Sequence, residues 1–89
     1  MVEKEIVIKS PSGLQSKSAA VFIQKASGYK SDVWVFKGGK KADGKSLLGI
    51  LSLEIRKGDK ITLSVEGGDE AEAAAGLEKY LVTDIGDVN

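Results

Sequence analysis

The chain has 89 residues, thirteen of them basic and thirteen acidic, so its formal net charge is zero, and 42% are hydrophobic. That length suits one domain, read here as residues 1–89, and the charge balance supplies no global attraction to nucleic acid or to an anionic membrane. Cysteine and histidine are both absent, which excludes disulfides, thiolate nucleophiles and thiolate metal sites, and removes the commonest general base and metal ligand.

Residues 2–8 alternate around Ile6 and Ile8 and predict a strand, broken by Pro11, Ser12 and Gly13. From Ser16 to Ser27 the apolar positions Ala19, Phe22, Ile23 and Ala26 fall on one helical face, with Ser16 as the candidate cap and Gly28 as the stop. Residues 32–37 carry Val33, Trp34, Val35 and Phe36, and Gly38-Gly39 then marks a hairpin leading into Lys40 to Asp43. Ser46 predicts the cap of a short helix through Leu47, Leu48, Ile50, Leu51 and Leu53, ending before Lys57-Gly58-Asp59. Residues 60–66 alternate with Ile61, Leu63 and Val65 on one side. Gly67, Gly68 and Asp69 open a final helix, roughly 70–82, whose inward face includes Ala74, Leu77 and Leu81. Gly76 should weaken that helix by about 1 kcal/mol against alanine.

The order is βαββαβα. Half-buried strands and amphipathic helices predict an α+β fold: an open-faced sandwich with a four-stranded antiparallel sheet and helices on one face. No segment reads as a signal peptide or membrane span, no acidic cluster reads as a cation loop, and the expectation is a cytoplasmic protein with no metal or cofactor. With neither histidine nor cysteine, no nucleophile–base pair assembles, so an enzyme is not expected.

The order of elements, with the segments Gly13-Leu14-Gln15-Ser16-Lys17-Ser18-Ala19-Ala20 and Lys45-Ser46-Leu47-Leu48-Gly49-Ile50-Leu51-Ser52-Leu53, resembles the HPr family of the phosphotransferase system over nearly the whole chain. Where phosphocarrier members of that family have histidine, then arginine and proline, this sequence has Gln15, Lys17 and Ser18. An imidazole nitrogen is nucleophilic near neutral pH, whereas the glutamine amide lone pair is delocalised, so phosphate transfer from phosphoenolpyruvate is excluded. Glutamine at this place is similar to the regulatory branch of the family, the catabolite-repression HPr proteins, although these keep the arginine and proline.

The resemblance implies that Ser46 is phosphorylated by the bifunctional HPr kinase/phosphorylase, and that the helix after it docks partners, including a regulator of the catabolite control protein A type. Serine at a helix start is also an ordinary cap, and the two roles are compatible. A phosphate there would add about −1.5 to −2 charge beside Leu47, Leu48 and Leu51. The spacing of these leucines on a short helix does not let all three face the core. The family implies that Lys17 lies near Ser46, where it would act as a point charge without the arginine fork.

If Val33 and Val35 face the helices, Trp34 and Phe36 stand on the open face near Val7. Three readings stay open: cross-strand pairing that stabilises the sheet, a register off by one, or a contact surface for a partner or homodimer. Lys37, Lys40, Lys41 and Lys45 cluster around the hairpin and read as a solvated face, not a nucleic-acid patch. The leading expectation is thus a non-catalytic, HPr-like regulator of carbon catabolite repression. Its rival is a constitutive HPr-shaped binding module or decoy that works through Trp34 and Phe36 and is never phosphorylated.

Overall fold

A computed structural model describes residues 1–85. The strands are β1 (Val2–Val7), β2 (Asp32–Lys37), β3 (Lys40–Asp43) and β4 (Lys60–Glu66); the helices are α1 (Lys17–Ser27), α2 (Leu47–Ser52) and α3 (Glu70–Lys79). All strand pairs are antiparallel and the sheet runs β1-β4-β2-β3. The predicted α+β sandwich, with its four-stranded antiparallel sheet, is the observed architecture.

The last strand, β4, lies inside the sheet between the edge strand β1 and β2, with Val65 opposite Val2 on one side and Val33 on the other. Strict alternation makes this work, because residues two apart share a face. Ile6, Ile61, Leu63, Val65, Val33 and Val35 are all buried and meet Phe22 and Ala26 of α1 and Ala74 and Leu77 of α3. Phe22 is fully buried, and truncating such a side chain costs about 3–5 kcal/mol.

Gly38 and Gly39 both take positive φ, 50° and 82°, in the two-residue turn between Lys37 and Lys40. This is the demand of a type I′ hairpin, which matches the twist of its flanking strands.

Two local expectations are corrected. Ser16 does not cap α1 with its side chain: it stands at φ 48°, and α1 starts at Lys17. Gly28 is the stop of α1 as expected, closing it in a right-handed conformation (φ −76°) with its N–H on the Lys25 carbonyl. The final helix is α-helical only to Lys79; Tyr80–Asp84 continue as a π-helical turn that keeps Tyr80 and Leu81 buried. Apolar spacing alone does not separate these two kinds of helix over so short a run.

The lysines at the hairpin are not simply solvated. Lys37 Nζ donates to the carbonyls of Leu53 (3.0 Å) and Glu54 (2.7 Å) and pairs with Asp59 at 2.9 Å, tying the end of α2 to the approach to β4. The Lys37 ammonium, with the Arg56 N–H, holds the Asp59 carboxyl below the usual range. Lys45 Nζ donates to the Tyr29 carbonyl at 2.9 Å, and the Lys41 ammonium lies 4.2 Å from the centre of the Trp34 ring.

Candidate functional site

The segment before α1 is shaped by close packing. Gly13 has φ 66°, and a Cβ there would collide with the Ile55 carbonyl and Arg56 backbone, so no other residue fits without displacement. Leu14 is fully buried and its N–H donates to the Ile55 carbonyl at 3.1 Å. Gln15, Ser16 and Lys17 follow as exposed residues, leaving their side chains on the surface.

Ser18 organises this segment. It is fully buried, and its hydroxyl accepts the Gln15 N–H at 3.1 Å. The hydroxyl proton is shared between the carbonyls of Gln15 (2.9 Å) and Gly13 (3.2 Å). The Ser18 carbonyl in turn accepts the buried Tyr80 hydroxyl at 2.8 Å. Neither Ser18 nor Tyr80 is predicted as a functional position, since a serine in a first helical turn is unremarkable in sequence.

Ser46 does cap α2, as predicted. Its backbone is extended (φ −111°, ψ 114°) and its hydroxyl accepts the Gly49 N–H at 3.1 Å. The approach is fixed by Asp43, whose carboxylate accepts the Lys45 N–H at 2.8 Å and whose carbonyl accepts the Ser46 N–H at 3.0 Å.

Along α2, Ile50 is fully buried while Leu47, Leu48 and Leu51 are 40%, 81% and 36% exposed. The spacing argument holds: one turn and a half cannot bury all its apolar residues. α1 packs against α2, but among the described residues no hydrogen bond or ion pair joins Lys17 to Ser46.

Trp34 and Phe36 lie on the opposite face of the sheet from the helices, since their neighbours Val33 and Val35 are buried. The sequence parity is therefore right, and the one-residue slip is ruled out. Both rings are half-buried. Trp34 stands opposite Ser64 and Asp43, and Phe36 opposite Thr62 and Lys41, so no aromatic pair crosses between strands. Lys41 covers them instead, 4.2 and 5.9 Å from the two ring centres. Val7 shares this face, 47% exposed, but β4 stands between β1 and β2. The candidate residues thus lie in three places: Gln15 and Lys17 are exposed at the approach to α1, Ser46 and the three leucines are on α2, and Trp34 and Phe36 are on the other face of the sheet.

No group of three or more His, Cys, Asp or Glu residues able to hold a metal occurs among the described residues, and no helix among them is long and apolar enough to cross a membrane.

The open-faced sandwich of this strand order is shared with solved structures of HPr and Crh proteins. Residues 2–83 match the family profile described as PTS HPr component phosphorylation site. The chain is 43% identical over 81 residues to the HPr-like protein Crh of Halalkalibacterium halodurans, covering 91% of this chain and 96% of that protein. The crystal structure of HPr-C-His from Thermoanaerobacter tengcongensis superposes with a TM-score of 0.93 at 42% identity, covering 97% of each chain. That of Bacillus subtilis Crh, described as a domain-swapped dimer, gives 0.73 at 40% identity, covering 91% of this chain and 93% of that one. The chain belongs to the HPr family.

Proposed function

We propose that this protein is a non-catalytic, cytoplasmic regulator of carbon catabolite repression that is switched by phosphorylation of Ser46. The observation that carries this reading is the pairing of a surface-lying, N-capping Ser46 with exposed Leu47, Leu48 and Leu51, in a chain with Gln15 where phosphocarriers hold histidine. The likeness to Crh proteins supports it.

Phosphoryl transfer from ATP to the Ser46 hydroxyl would place a dianion at the N–H groups of the first turn of α2, where the cap already draws on the Gly49 N–H. The leucine patch would then carry a charge at its edge, and a partner that reads both would bind only the modified form. HPr kinase/phosphorylase is the modifying enzyme proposed, and a regulator of the catabolite control protein A type is the proposed reader. Lys17 contributes charge to that surface.

Incubation with the HPr kinase of the same organism and ATP, followed by intact and peptide mass spectrometry, tests the reading. One phosphate on Ser46, lost in Ser46→Ala, supports it. No phosphate, with an HPr control modified in the same tube, overturns it.

A second reading is favoured by the Trp34–Phe36–Lys41 surface: a constitutive binding module, or a homodimer, working through the outer face. Loss of partner binding in Trp34→Ser but not in Ser46→Ala would select it.

A further inference from the structure

We propose that Ser18 and Tyr80 are positioning residues for the loop 13–18, holding it in one conformation and tying it to the C-terminal turn. The hydroxyl of Ser18 makes no bond along α1. Its partners, the Gln15 N–H and the carbonyls of Gly13 and Gln15, all lie in the loop before the helix. The Ser18 N–H also turns back, donating to the Gln15 carbonyl at 3.2 Å. One fully buried side chain therefore closes the loop onto its own beginning.

Ser16 sits inside that closure at φ 48°, a conformation that costs a residue bearing a Cβ and persists only where flanking bonds impose it. Gly13 and Leu14 are pinned on the other side by the backbone around Ile55.

Tyr80 extends the closure across the molecule. Its ring is buried and its hydroxyl reaches the Ser18 carbonyl, so the start of the π-helical turn and the start of α1 share one hydrogen bond. The Lys25 ammonium, 5.6 Å from the Tyr80 ring centre, adds a contact from α1 itself.

The result is a preformed surface. Gln15 and Lys17 are displayed by a loop whose backbone is already ordered, so a partner reading them has little conformational entropy to remove. A proline at position 18 would have neither the hydroxyl nor the N–H that make this closure. The proposal stands whether or not Ser46 is modified.

Residue-resolved amide hydrogen exchange on the intact protein tests it, using Ser18→Ala and Tyr80→Phe. Both variants remove a hydroxyl and leave the rest of the side chain in place. In Ser18→Ala the Gln15 amide should exchange about tenfold faster, as expected for loss of one hydrogen bond. The Leu14 amide, bonded to Ile55, should be unchanged. Tyr80→Phe should quicken Gln15 by a smaller factor, again sparing Leu14. Unchanged Gln15 exchange in Ser18→Ala would overturn the positioning role, and so would a uniform acceleration of all amides. Unchanged Gln15 exchange in Tyr80→Phe would overturn the tie to the C-terminal turn.

Discussion

The Asp69 carboxylate, at the start of α3, accepts the backbone N–H of Ser31, at the entry to β2, at 2.9 Å. It also accepts the Lys30 N–H at 2.9 Å and the Ser31 hydroxyl. Asp69 therefore does not cap its own helix with its side chain; it fastens the α1–β2 connection to the β4–α3 connection.

These bonds, the Ser31 hydroxyl first and the Lys30 N–H next, lower the Asp69 pKa from 3.8 to about 2. A carboxyl depressed on folding stabilises the native state above its unfolded pKa and loses that contribution as pH falls through the folded one. Urea midpoints of the wild type should therefore decline from pH 4 to about 2, and Asp69→Asn should start lower and decline less. Asp59 and Glu70, also depressed, supply the remaining slope. A variant as stable as wild type at pH 7 would remove Asp69 from the account.

At Gly76 two effects oppose. Alanine should gain about 1 kcal/mol in helix propensity, but its Cβ would strike the Tyr29 hydroxyl, while the ring carbon behind stands at 3.3 Å. Overpacking costs about 1–3 kcal/mol, so Gly76→Ala should destabilise the wild type. In a Tyr29→Phe background the same change should stabilise by up to about 1 kcal/mol. A double-mutant cycle from denaturant unfolding reads the change of sign.

Ser46→Ala should cost about 1 kcal/mol through loss of the cap, and Ser46→Asn should recover most of it. Chemical denaturation measures both. This matters for any phosphorylation experiment, because a fall in stability in Ser46→Ala is then expected independently of lost phosphate.

On α2, Leu48→Ser should leave stability within about 0.5 kcal/mol, whereas Ile50→Ala should cost about 2–5 kcal/mol. Leu48 is 81% exposed and Ile50 fully buried. If the leucine patch docks a partner, Leu48→Ser should weaken that complex with no shift in melting temperature, as calorimetry and titration would show.

How far the sequence discloses this protein depends on the kind of signal. Alternation in residues 2–8, 32–37 and 60–66 placed three strands and assigned Val33 and Trp34 to opposite faces, because a pleated strand leaves no other arrangement. Ser46 was legible as a cap because its residue type and position coincide. The loop before α1 was not, since Ser16 stands where a cap belongs yet makes no side-chain cap bond, and the bonds that shape the loop come from Ser18, Ile55 and Tyr80. The role of Lys37 was hidden for a related reason: beside Asp59, its partners are the carbonyls of Leu53 and Glu54 just past α2, and backbone acceptors leave no trace in a sequence. Gly76 looked like a weakness of α3 and is instead the space Tyr29 occupies.

The sheet order β1-β4-β2-β3 also bears on synthesis. Emerging from a ribosome, β1 precedes the other strands but has no neighbour in the sheet except β4, and its Val2 must wait for Val65. The β2–β3 hairpin can close early through Gly38-Gly39, yet it too meets the rest of the sheet only at β4. Until residue 66 is free of the exit tunnel, two separate pieces with apolar faces stand open to solvent and to chaperones. Completion of one strand then closes both sides at once, so this sheet should form abruptly and only after β4 has been made.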